Sequence, residues 1–160
     1  MTDFEKLEQA KRVFATLCKA LDNNDWHYKK DEQKLSVECG AQGEDLPMEF
    51  NVRVDADRGL VMLLSLIPFK IQEDKRIEAA IAICAINDRL VDGCFDYDVS
   101  DGQIFFRMTN SYIESNLGED VFTYLLFCAC QTIDEYNDKL LMLSKGIISV
   151  EKFLQLIAKE

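Results

Sequence analysis

Histidine is almost missing from this chain: 160 residues contain one, His27. A metal centre built on several imidazoles is excluded, and one imidazole is left as a general base. No GxSxG, Walker loop, GxGxxG or HExxH occurs, so the commonest nucleophile, phosphate and zinc-protease motifs are absent. Basic residues are in deficit. Eighteen Lys and Arg stand against 29 Asp and Glu, a net charge of −11. That field repels nucleic acid and anionic membrane, and no compact basic patch offsets it. A basic or amphipathic protein partner suits it, and so does plain solubility. No apolar run approaches bilayer-spanning length, and Met1 to Glu5 opens acidic, without a basic leader. Cys18, Cys39, Cys84, Cys94, Cys128 and Cys130 are scattered, unlike a secreted disulfide framework. The expected compartment is the cytoplasm.

What is present is an ordinary globular composition, 48% hydrophobic, in a length that buries one core. A single domain over 1–160 is expected, with no repeat, low-complexity run or linker. The plainest local signal runs from Cys94 to Arg107. Phe95, Tyr97 and Val99 alternate with Asp96, Asp98 and Ser100; Asp101-Gly102 turns the chain; Ile104-Phe105-Phe106 begins the return strand. Around this hairpin the remaining elements follow. A capping box at Thr2 and Glu5 starts a helix to about Leu21, with Phe4, Leu7, Phe14, Leu17 and Leu21 on a stripe interrupted by Lys11. Strands are predicted at Trp26–Lys30, Lys34–Cys39 and Glu49–Asp55. Leu60 to Ile67 is almost wholly apolar, which predicts a central strand buried on both faces and closed by Pro68. A second helix spans Glu73 to about Val91, stopped by Asp92-Gly93. A long helix follows from Glu119 to about Ser144, then a short one capped by Ser149. The order α-β-β-β-α-β-β-α-α makes an α+β domain with helices laid on an antiparallel sheet.

Most chemical constellations dissolve on inspection. Asp96, Asp98 and Ser100 begin like a calcium loop, but the sixth position is Asp101 and the twelfth is Arg107, where an EF-hand needs Gly and Glu. Carboxylates at every second residue of a strand share its solvent face. Cys128 and Cys130 lie two apart on a helix and do not face each other, so they read as small core residues. Cys94 has no neighbouring histidine to activate it. His27, between Trp26 and Tyr28, reads as part of an edge strand. No catalytic, cofactor-binding or metal-ligating residue is assigned, and no cofactor is expected.

The helices say more. On a wheel, the long helix places Phe122, Leu125, Leu126, Ala129, Ile133, Tyr136, Leu140 and Leu143 on one broad face. Tyr124, Phe127 and Met142 fall opposite. Either the final helix covers them through Phe153 and Leu154, or they line a partner groove. The second helix carries Ile77, Ala80, Ile83, Cys84, Asn87 and Val91 on one face and Ala79, Ala82 and Ile86 on another. That doubly apolar helix predicts burial of Ala79, Ala82 and Ile86 by a second subunit.

Asn87-Asp-Arg-Leu-Val-Asp-Gly93, Phe95-Asp-Tyr-Asp98 and Asp101-Gly-Gln-Ile-Phe-Phe-Arg107, with Asp134-Glu-Tyr136 and Gly146 behind them, resemble the YbjN-like family of bacterial sensory transduction regulators from Trp26 onward. The resemblance implies a type III secretion chaperone-like fold, commonly dimeric, and a non-enzymatic, partner-binding protein. The expectation is therefore a cytoplasmic, homodimeric, chaperone-like or regulatory module for an unidentified protein, binding neither nucleic acid nor membrane. The competing class is a small-molecule-binding or enzymatic domain, marked by a deep pocket whose polar groups converge on His27 or Cys94.

Overall fold

The structure is a computed structural model and describes residues 1–158; the domain expected over 1–160 runs two residues beyond them. Its elements are α1 (Asp3–Asn23), β1 (Tyr28–Asp31), β2 (Ser36–Gln42), β3 (Pro47–Asp55), β4 (Leu60–Lys70), α2 (Arg76–Asn87), β5 (Cys94–Asp98), β6 (Gln103–Ser111), α3 (Glu119–Ser144) and α4 (Val150–Ile157). The expected order and α+β class stand. The six strands form one antiparallel sheet, β1-β2-β3-β4-β6-β5.

Local codes set the ends of several elements. The Thr2 hydroxyl accepts the Glu5 N–H at 3.2 Å, while the Glu5 carboxylate accepts the Thr2 N–H at 2.7 Å. Buried residues of α1 begin only at Gln9 and continue through Ala10, Val13, Phe14, Leu17, Ala20 and Leu21. Phe4 and Leu7, expected on the stripe, stay exposed. The buried Gln9 side chain donates to the carbonyls of Tyr112 and Ser115, at 3.0 and 2.9 Å, which ties α1 to the connector before α3.

The first three strands shift by one to three residues at their ends, and two further boundaries move for a visible reason. Pro68 does not close β4. The β4–β6 register slips between Leu66 and Lys70, and such a bulge lets a residue without an N–H sit inside a strand. The Gln103 amide donates to the Ile67 carbonyl there at 3.2 Å. The second helix is shorter than expected. It opens with a 3-10 turn, Glu73–Lys75, and its α-helical part ends at Asn87. The Asn87 side chain accepts the Phe95 N–H at 2.8 Å and donates to the Phe95 carbonyl at 3.0 Å. The helix end is thus spent on holding β5.

The four helices of the described residues form a layer on one face of the sheet. α3 lies against β4 and β6, α1 against α3 and β3, α2 against β5 and α3, and α4 chiefly against α2. On this face Val37, Val52, Leu63 and Met108 form one row across the sheet, all buried. Phe95 packs edge-on against Phe106 and Tyr136, with ring centroids 5.1 and 6.2 Å apart.

Candidate functional site

Among the described residues no helix lies on the other face of the sheet. Directly opposed residues on antiparallel strands share a face, so the register writes its rows: Lys29, Glu38, Asn51, Leu64, Arg107, Cys94 in one, and Leu66, Phe105, Asp96 in the next. On β2 and β3 this face is polar, as an uncovered antiparallel sheet should be. On β4 it is not. Leu60, Met62, Leu64 and Leu66 all point this way, joined by Phe105 of β6. Leu66 is 50% exposed and Phe105 37%. β4 was expected to be buried on both faces; it is buried on one. Leu64, Leu66 and Phe105 floor an open trough of about 770 Å³, with His27, Lys29, Glu38 and Glu49 among its walls. The legible signal was the contrast between an unbroken apolar strand and its alternating neighbours, but it pointed to a buried strand, and the exposure was missed.

The charged groups beside the trough are arranged simply. Arg107 donates to both Asp96 oxygens, Nε to Oδ2 at 2.6 Å and Nη2 to Oδ1 at 3.0 Å. These hydrogen bonds hold the Asp96 carboxyl below its ordinary range. The Cys94 thiol lies 3.4 Å from Arg107 Nη2 and 3.6 Å from Asp96 Oδ1; burial, then the Asp96 charge, push it up, so it stays a thiol at neutral pH. His27 stands exposed just before β1, while Trp26 packs edge-on against Phe50 at 6.2 Å. Cys94 is not among the residues lining the trough with His27.

Because Asp96 has a lowered pKa, its contribution to stability is full above the ordinary carboxylate value of about 4 and fades as pH falls through the lowered one. The pair is partly exposed, side chains 39% and 42%, so the effect should be below about 1 kcal/mol. Urea midpoints of wild type and Asp96→Asn should differ slightly at pH 7 and converge near pH 2.

The carboxylates that mimic a calcium loop are engaged elsewhere. Asp98 accepts the Ser100 N–H and hydroxyl, at 2.8 and 2.6 Å, and Asp101 pairs with Lys70 at 2.6 Å. Among the described residues no three His, Cys, Asp or Glu side chains gather as a metal set. Millimolar calcium should therefore leave the melting temperature unchanged. A site filled to a hundred times its dissociation constant would add about 2.7 kcal/mol, a shift that calorimetry would show.

The helix faces singled out in the sequence fare differently. Ala79, Ala82 and Ile86 are all 0% exposed. They are packed inside the chain's own core, between the sheet and its helices, and are closed to a second subunit. The outward side of α2 carries Ile77, Ile81 and Cys84 instead, all exposed. On α3, Tyr124 and Phe127 are exposed, at 50% and 49%, and Met142 is partly buried. α4 does not close over this row. Tyr124 and Met142 are 18 residues apart, about 27 Å of helix, whereas an eight-residue helix spans about 12 Å. α4 instead buries Phe153 and Ile157, and leaves Leu154 partly exposed. The Tyr124 hydroxyl donates to the Asp92 carboxylate, at the rim of a second, more polar hollow that includes Arg89, Cys128 and Glu135. Of the three, Tyr124 is the one among the residues lining this hollow.

Comparison with known proteins supplies a lineage. The family model described as "Putative bacterial sensory transduction regulator", YbjN, matches residues 14–142. This chain belongs to the YbjN family. YbjN of E. coli, whose crystal structure is known and which is described as "a putative transcription regulator", shares the fold. The likeness covers 78% of this chain and 91% of that one, at 11% identity and a TM-score of 0.56. A chain of the HopA1–SchA chaperone–effector complex is also similar, over 84% of this chain and 93% of that one, at 12% identity and a TM-score of 0.47. No curated protein matches in sequence. In this YbjN-family chain several of the residues that carried the resemblance hold the frame together. Asn87 holds β5, Gly93 and Gly102 take positive φ at the two ends of the hairpin, and Asp134 accepts the Glu44 N–H at 2.9 Å, pinning the β2–β3 loop to α3. Among the described residues no helix is long and apolar enough to cross a membrane.

Proposed function

We propose that this chain is a non-enzymatic regulatory module that binds a protein partner on the uncovered face of its sheet and acts in the cytoplasm as a homodimer. One observation carries the reading: β4 has the sequence of a strand covered twice, and the chain covers it once. Leu66 and Phe105 are exposed and Leu64 partly so at the middle of the sheet, and contiguous exposed apolar surface of this kind marks an interaction site. The trough supports a protein ligand over a small molecule, because it is open, whereas small-molecule sites enclose most of their ligand. The raised thiol of Cys94 and its place away from His27 give no nucleophile–base pair, which supports a binding role. Family membership agrees with regulation. For the homodimer, Ile77 and Ile81 on the outside of α2 are the supporting surface, and Ile81→Glu should shift sedimentation from dimer to monomer.

The test is capture from the native host with wild type and Leu66→Asp side by side, followed by mass spectrometry and direct binding of the identified protein. Leu66 is half exposed, so the charge leaves the fold intact. A partner retained by wild type and lost by the variant is the expected result. Identical partner sets would sink the proposal.

A further inference from the structure

We infer that the occupant of the uncovered face is an amphipathic helix with Lys or Arg along one flank, lying over Met62, Leu64, Leu66 and Phe105. This rests on the protein-binding reading above and specifies the partner's chemistry.

Width decides between a helix and another sheet. The apolar stripe covers one strand and part of the next, β4 and β6, and strands sit about 4.8 Å apart. Its width is then about 10 Å, the diameter of one helix with its side chains. A second sheet, including that of a second copy, would spread over β2 and β3 as well. There it would bury Glu38, Glu49, Asn51 and Arg53, which face the same way, and uncompensated burial of such charges is prohibitive. Length is also suitable. Met62 to Leu66 is about 13 Å along the strand, matched by about nine helical residues, which present apolar side chains at i, i+3, i+4 and i+7.

Charge decides the flank. On the β5 side of the stripe, Asp96 and Arg107 satisfy each other. On the β3 side, Glu49 and Glu38 have no ion pair or side-chain hydrogen bond among the described residues. Lys29, directly across from Glu38, sits one strand further out at the sheet edge. Arg53, also without an ion pair, lies across from Met62 at the other end of the stripe; beside Leu64 and Leu66 the unanswered charge is negative, and the −11 of the whole chain steers cations toward it.

The test uses a phage-displayed library of random peptides, about 14 residues long, selected on immobilised wild-type protein. Enriched peptides are synthesised and measured by fluorescence anisotropy against wild type, Leu66→Asp and Glu38→Lys/Glu49→Lys. The expected pool is helical, apolar at i, i+3, i+4 and i+7, and net positive. Its members should lose binding to Leu66→Asp and weaken at least about tenfold on the double charge reversal. Circular dichroism should show helix induced on binding. A pool of acidic or extended peptides that still fails on Leu66→Asp overturns this inference and leaves the protein-binding reading standing. An empty pool, or binding indifferent to Leu66→Asp, overturns both. A dimer dissociated by Leu66→Asp in sedimentation would assign the face to a second copy and overturn the helix.

Discussion

Phe153→Ala should lower the unfolding free energy by about 3–5 kcal/mol, the range for emptying a fully buried aromatic site. Phe153 is 0% exposed, and with Ile157 it is the anchor of α4. Eight residues are too few to hold a helix in water, so α4 exists because it docks. The Ser149 hydroxyl accepting the Lys152 N–H at 3.2 Å sets where it begins but adds only about 1 kcal/mol. Ending the chain after Lys145 removes both anchors and uncovers the side of α2 that α4 protects. Two large side chains at about 1.5–3 kcal/mol each again give a loss of several kcal/mol, together with increased binding of an apolar dye. Urea denaturation of the three proteins measures this. A Phe153→Ala midpoint that moves by less than the equivalent of 1 kcal/mol would show that α4 is an appendage and not part of the core.

Gly102→Ala should be the most damaging change at any turn, costing about 3 kcal/mol. Gly102 has φ +78, a left-handed conformation that penalises a side chain by roughly 1–2 kcal/mol. It also lies against the end of β4. A Cβ there would stand 2.4 Å from the Ile71 carbonyl oxygen and 3.1 Å from its nitrogen. Neither atom can swing aside as a side chain could. Relief means parting the two segments and losing the bond from the Ile71 N–H to the Gly102 carbonyl, now 2.8 Å, worth about another 1 kcal/mol. Gly118 is the internal control. It caps α3 with no side-chain bond, and a Cβ there meets nothing within 4 Å, so Gly118→Ser should keep or slightly raise stability. Equal effects at the two glycines would refute the steric account.

Both predictions bear on function only through the frame. Gly102 and Phe153 fix the hairpin and the helical layer, and neither touches the uncovered face. Variants there and variants at Leu66 should therefore separate: the first change stability, the second binding.

What the sequence determined by itself was local. The capping box at Thr2 and Glu5, the Ser149 cap, the hairpin around Asp101-Gly102 and the extent of α3 all depend on residues within a few positions of one another. Their geometry is written in residue type and spacing, and each is present in the structure. The order of elements followed from the same signals. The tertiary structure alone decided which apolar face is covered, and by what. A period of 3.6 shows that Ala79, Ala82 and Ile86 share a side of a helix. It cannot show that the chain's own core fills that side and leaves Ile77 and Ile81 outside. An unbroken apolar strand announces two-sided burial, yet cover for its second face must come from a distant segment, and here every helix of the described residues lands on the first. Tyr124 and Phe127 remain exposed for the same reason: α4 is short, and its best contacts lie on α2. Periodicity reports how apolar a face is, while the long-range pairing of strands and helices settles which neighbour removes it from water.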